Sequence, residues 1–213
     1  MFNIILFDDN TEQFNEIVIE LQKDNYKIDL VNVLEQFTTG TEPDFQFESF
    51  RGYCDEKIFN RTIDVIGCDM NLGFAQETAF IEILTHIRKS NKSCKLFLYS
   101  GSINKIVEAI NEKGSNPQKE KPMRDLFKIQ VEDIVSRDKV IEKIKEITAS
   151  PSVLNILENK INEIHNGLFL CCFDEFKGLT KSDITRNIRE YNEIGVRFIT
   201  EFINYAVSGF INQ

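Results

Sequence analysis

Three short polar signatures in this chain have the chemistry to handle a phosphoryl group. The acidic pair Asp8-Asp9 follows the apolar run Asn3-Ile4-Ile5-Leu6-Phe7, Asp69 follows Asp64-Val65-Ile66-Gly67-Cys68, and Ser100-Gly101 follows Lys95-Leu96-Phe97-Leu98-Tyr99. Carboxylates supply the hard oxygen donors that suit a small divalent cation such as Mg2+. A hydroxyl close by can donate to phosphoryl oxygens. The chemistry requires all three signatures at one place, so the elements that carry them must end side by side.

Each run is short, apolar and bounded by polar residues, the pattern of a strand buried on both faces of a parallel sheet. Strands of that kind deliver their following residues to the carboxyl edge, where α/β folds build their sites. Two further strands are expected at 26–33 and 131–135. Helical spacing of apolar residues appears in between: Phe14, Ile17, Val18 and Leu21 over 11–25, capped by Asn10 or Thr11; Phe80, Ile81, Leu84 and Ile87 over 78–90. It continues with Ile103, Ile106, Val107 and Ile110 over 102–113, stopping at Gly114, and with Val140, Ile141, Ile144 and Ile147 over 137–148. A Gly-, Pro- and Thr-containing stretch at 38–47 reads as a loop insertion before a helix near 48–60, and 115–124 as a long polar surface loop. The alternation predicts an α/β fold, a doubly wound five-stranded parallel sheet over residues 1–148.

Ser150-Pro151 marks a boundary, and from 153 the pattern is helical throughout. One helix is expected over 153–176 and a second over 183–212, with a break at Gly178 and Thr180 or Ser182 as the cap. Together they form an α-helical hairpin spanning 151–213. A lone hairpin cannot bury its apolar stripe, so it should dock on the first domain or pair with a second copy as a homodimer.

The 213 residues and 42% hydrophobic content allow a full core plus a small appendage. A formal net charge of -9 opposes a nucleic-acid partner, since phosphate backbones are held by clustered Lys and Arg. The five cysteines, Cys54, Cys68, Cys94, Cys171 and Cys172, form no CxxC pair, which points to a reducing compartment. Acidic residues interrupt the N-terminus before a signal segment is complete, and no apolar stretch approaches the ~20 residues of a membrane helix. The expectation is a cytoplasmic protein without a membrane partner.

The order Asp8-Asp9, Asp69, Ser100-Gly101 resembles the receiver domain of two-component response regulators over residues 1–148. The resemblance implies that Asp69 is the phosphoacceptor and that Asp8, Asp9, Asp69 and the main-chain carbonyl of Asn71 hold Mg2+. It implies that Ser100 meets the phosphoryl oxygens and that the partner is a sensor histidine kinase or a phosphotransfer protein. Asp69-Met70-Asn71-Leu72 fits the family's acceptor loop. On this reading the protein is a signalling switch rather than a turnover catalyst, with the C-terminal helices changing protein contacts.

Several positions depart from the family. Its lysine at the end of strand five is replaced by Arg137, and the proline that follows by Asp138. A cis bond before Asp138 would cost ~3 kcal/mol, so that turn is expected to be trans. Lys139 is an alternative cation, and Lys121-Pro122 matches only by letter. Ile134 replaces an aromatic switch residue, and Gly73 stands where a proline is common. These changes admit a degenerate receiver that acts as a phosphorylation-independent interaction module.

Two other readings rank lower. A haloacid-dehalogenase-like phosphatase would want an acid at Asn10, and an amide cannot exchange the proton. His165, within Glu163-Ile164-His165-Asn166, faintly matches a histidine phosphoacceptor helix, but no ATP-binding segment follows. Adjacent Cys171 and Cys172 in an apolar cluster are packing residues, since neighbours in sequence do not converge on one metal.

Overall fold

The computed structural model describes residues 1–38, 44–76, 78–102, 126, 128–163, 176 and 178–211, the last eight of these as backbone only. It divides into two compact units, Met1–Arg88 with Cys94–Pro151, and Lys89–Ser93 with Ser152–Gln213. Among the described residues, no helix is long and apolar enough to cross a membrane.

In the first unit, β1 (Phe2–Asp8), β2 (Tyr26–Asn32), β3 (Val65–Asp69), β4 (Lys95–Ser100) and β5 (Val131–Ser136) form one sheet in the order β2-β1-β3-β4-β5. All four pairings are parallel. This is the flavodoxin-like doubly wound order. The expected fold class is the observed one.

Side-chain alternation along the strands divides the core between the two faces of the sheet. Ile5, Phe7, Ile66, Cys68, Leu96 and Leu98 pack on one side, and Ile4, Leu6, Val65, Phe97 and Tyr99 on the other. Each fully buried side chain of this size contributes about 1.5–3 kcal/mol of transfer free energy. Strands buried on both faces explain why the sequence shows continuous apolar runs rather than a period of two.

The helices are shorter than their patterns. Asn10 accepts from the Glu12 N–H and opens a 3-10 turn at Thr11–Phe14, which leads into α1 (Asn15–Lys23). Asn32 similarly caps α2 (Val33–Phe37), between the expected strand 26–33, which it shortens by one residue, and the expected loop 38–47. The helix expected over 48–60 is α3 (Phe47–Tyr53) continued by a π-helical turn at Cys54–Ile58. A 3-10 turn at Arg137–Lys139 precedes α5 (Val140–Ala149), and α4 (Ala79–Ser90) agrees with its pattern. Arg88 at the end of α4 donates from Nε to the Ile129 carbonyl (2.7 Å) and from Nη1 to that of Cys94 (2.8 Å), tying the approach to β5 to that of β4. The expected helix 102–113 and loop 115–124 lie outside the described residues, apart from Ser102.

Helices follow the sheet in the second unit, as expected, with one interruption more than the pattern gives. Its described helices are three: α6 (Val153–Glu163), α7 (Lys181–Glu190) and α8 (Glu193–Ile211). Thr180 and Asp183 form a reciprocal capping box that starts α7. The single helix expected over 183–212 breaks at Tyr191, which is left-handed at φ 53°, and Asn192 then caps α8 by accepting from the Gly195 N–H (3.0 Å). Gly195 lies so close to the Asn187 carbonyl that any Cβ would collide with it. The apolar period runs on through the break because both helices turn a stripe to one cluster, with Leu157, Ile161, Phe176, Ile184, Ile188 and Phe198 at its centre. Periodicity reports the buried face and not the continuity of the backbone. His165, Cys171 and Cys172 lie outside the described residues.

Candidate functional site

The register of the sheet brings the expected site residues together. Phe7 is level with Cys68, Asp69 with Tyr99, and Ser100 with Ser136, so the residues ending β1, β3, β4 and β5 share one edge. The chain reverses its direction of winding between β1 and β3. Asp8, Asp9 and Asp69 therefore emerge at the topological switch point, where open α/β sheets place their ligands.

Each of these three carboxylates offers an oxygen within 4.8 Å of the others. Asp8 and Asp69 are buried and Asp9 is half-buried. Asp8 Oδ1 accepts from the Asn10 N–H (2.7 Å) and from Gln13 Nε2 (3.0 Å). Asp8 Oδ2 is buried and makes no hydrogen bond with the described residues. Asp69 Oδ1 accepts from the Asn71 N–H (3.1 Å), while its Oδ2 takes Arg137 Nη2. Asn71 itself is exposed.

Among the described residues, Arg137 is the cation that faces the cluster, in the 3-10 turn directly after β5. Its Nη2 also stands 3.6 Å from Asp8 Oδ2, and its Nη1 donates to Gln13 Oε1 (2.7 Å). Lys139, two residues on, is exposed. The Arg137-Asp138 bond is trans, as expected. Ser100 is buried at the end of β4, its hydroxyl oxygen accepting from the Ser102 N–H (3.1 Å).

Among the described residues, one guanidinium is set against three carboxylates in a partly dry place, and the electrostatics follow from that. Burial pushes Asp8 up to about 6; the Asn10 N–H opposes the rise, the Asp69 charge adds to it and Arg137 opposes it. Asp69 is raised as well, first by burial, against the pull of the Asn71 N–H and of Arg137. Carboxylates raised by burial and by each other stand ready for a cation to replace the missing water. An unsatisfied buried oxygen on Asp8 and an all-oxygen donor set fit Mg2+.

Gly73, in the loop after β3, stands at φ +71°. Proline cannot reach that conformation, its ring holding φ near −65°. A side chain there would also crowd Asp9 Oδ2 and Leu34. The departure from the resembled pattern is thus local backbone geometry.

Sequence reasoning missed two residues. Gln13 bridges Asp8 and Arg137, and Tyr99 is fully buried on β4 with its hydroxyl donating to the Phe7 carbonyl (2.8 Å), just before Asp8. Burial pushes the Tyr99 phenol well above its ordinary range, so it stays a donor. A glutamine five residues after the first acid, in a turn that leads back toward it, was the available signal for Gln13. Tyr99 was hidden in an apolar run where it reads as core.

Fold and site together define the first unit as a doubly wound α/β domain with an acidic, cation-fitting cluster at its switch point. No family model matches the sequence, and no curated protein does. The solved structures it resembles are response regulators and their receiver domains. A response regulator from Thermotoga maritima aligns over 70% of this chain and 99% of its own, at 14% identity and a TM-score of 0.44. The response regulator TrrA from the same organism, solved in complex with Mg2+-BeF, aligns over 69% and 99% at 19% identity and a TM-score of 0.41. A response regulator from Burkholderia pseudomallei, solved with a phosphorylated aspartic acid, a calcium ion and citrate, aligns over 76% of this chain and 74% of its own, at 11% identity and a TM-score of 0.41.

Proposed function

We propose that this chain is a response-regulator-like signalling protein in which residues 1–148 accept a phosphoryl group on Asp69 and residues 151–213 pass the change on to other proteins. The observation that carries the reading is the convergence of Asp8, Asp9 and Asp69 at the switch point, with Ser100 and Arg137 at the same sheet edge. Asp8, Asp9, Asp69 and the main-chain carbonyl of Asn71 hold Mg2+. When bound, the ion offsets the negative charge that otherwise keeps a carboxylate and a phosphodonor apart.

The protein's own residues do the rest. A carboxylate oxygen of Asp69 bonds to phosphorus as the bond from phosphorus to the donor's leaving atom breaks, and the product is an acyl phosphate. Arg137, now on Asp69 Oδ2, moves to the new phosphoryl oxygens, and the Ser100 hydroxyl turns from the Ser102 N–H to donate to one of them. The acyl phosphate carries about two negative charges where the carboxylate carried one, and places them on three new acceptor oxygens, enough to reorder the loop after β4. The donor is a sensor histidine kinase or phosphotransfer protein in the cytoplasm, and the C-terminal helices carry the output by self-association.

Incubation with a small phosphodonor and Mg2+, followed by intact mass measurement, tests this. A gain of one phosphoryl group in the wild type and none in Asp69→Asn is expected; a gain in both, or in neither, would overturn the assignment. One observation favours a second reading, a phosphorylation-independent interaction module: both oxygens of Asp69 already have partners in the Asn71 N–H and Arg137. A gain in neither protein is the outcome that selects it.

A further inference from the structure

The Gln13 carboxamide uses both of its ends. Its Nε2 donates to Asp8 Oδ1 (3.0 Å) and to the Asn10 carbonyl (2.8 Å), and its Oε1 accepts from Arg137 Nη1 (2.7 Å). The amide orientation is fixed by this set, because carboxylate and carbonyl need a donor and guanidinium needs an acceptor. The bridge joins the turn after β1 to the turn after β5, 124 residues apart. It leaves Nη2 aimed at the carboxylates, on Asp69 Oδ2 and 3.6 Å from Asp8 Oδ2.

We propose that Gln13 is a positioning residue: its carboxamide clamps the Arg137 guanidinium over Asp69 and so sets how tightly the carboxylate cluster holds a divalent cation. A fixed positive charge beside Asp8 and Asp69 repels an incoming cation, and at a few ångströms that repulsion is large in a partly dry site. Arginine reaches further than the lysine it replaces and has donors to spare for an anchor. Gln13 is that anchor. Without it the guanidinium is free to swing out toward water, since Arg137 is already 30% exposed. The cluster then binds a cation more tightly but lacks a fixed partner for a phosphoryl group.

The inference rests on the cation-binding part of the proposed function, and calorimetric Mg2+ titration of the wild type, Gln13→Leu, Arg137→Lys and the double variant separates the two. Gln13→Leu should bind Mg2+ about threefold to tenfold more tightly, the net worth of one ordinary hydrogen bond, since water screens this exposed one. In the Arg137→Lys background the same substitution should change nothing. A residue that merely held the turn in shape would weaken binding, and would do so in both backgrounds. Unchanged or weaker binding in Gln13→Leu, or an equal gain beside Lys at position 137, overturns the inference while the proposed function stands. A wild type that takes up no Mg2+ overturns the metal reading instead, and thermal melts of the same four proteins then decide the clamp. Additive shifts in melting temperature reject it, and coupled shifts support it.

Discussion

Two arginine–carboxylate contacts, one in each unit, show how the same chemistry serves different ends. In the second unit Arg189 on α7 meets Glu158 on α6 at 3.0 Å, with side chains 5% and 0% exposed. A positive and a negative charge meet there, with water excluded from both. In the first unit Arg137, 30% exposed, answers Asp8 and Asp69 with Asp9 beside them. Burial with charges balanced makes a strut between helices. Burial with an excess of one sign, left open on one side, makes a place for a counter-ion.

The comparison breaks most sharply at Glu158. Glu158→Ala removes the carboxylate that meets the buried Arg189 guanidinium, and a loss of about 3–5 kcal/mol is expected, read from urea unfolding followed by circular dichroism. A loss below about 1 kcal/mol would show that the pair is not the strut of that unit.

The opposite sign is expected at Asp8. Its folded-state value near 6 stands above the ordinary 3.8, so the folded protein holds a proton that the unfolded chain has released between those values. That contribution is fully present below about 3.8 and is lost as pH rises through about 6. At pH 7 without metal, Asp8→Asn should therefore be more stable than the wild type by on the order of 1–3 kcal/mol. The difference should shrink toward zero near pH 4. Saturating Mg2+ should reverse it, because only the wild type keeps the full ligand set. A wild type that matched Asp8→Asn at every pH would remove the excess-charge half of the comparison.

The smallest effect sharpens the boundary between the units. Thr180→Ala removes the capping box of α7 and should cost about 1 kcal/mol, leaving Mg2+ binding by the first unit untouched. A shift in Mg2+ affinity on that substitution would show the two regions to be energetically joined.

The sheet was legible in the sequence because strands buried on both faces are continuous apolar runs, and their ends name the edge residues. Asp8, Asp69 and Ser100 were readable for that reason, and Arg137 by its place after the fifth run. What could not be read was pairing across long separations. No local pattern links Gln13 to Arg137, or Glu158 to Arg189, and a buried Tyr99 looks like any other aromatic in an apolar run. The break at Tyr191 and Asn192 was likewise invisible, since the apolar spacing continues through it while Gly195 and the Asn192 side chain end one helix and begin the next. The left-handed Gly73 looked like a lost proline, although its φ of +71° excludes one.

The carboxylates at the switch point are expected to hold one divalent cation per chain. Titration with Mn2+, followed by the loss of its free paramagnetic resonance signal, measures this directly. One Mn2+ per wild-type chain is expected, displaced by Mg2+, with binding abolished in Asp8→Asn and in Asp69→Asn. A wild type that leaves the signal unchanged, or variants that bind as it does, would contradict the account.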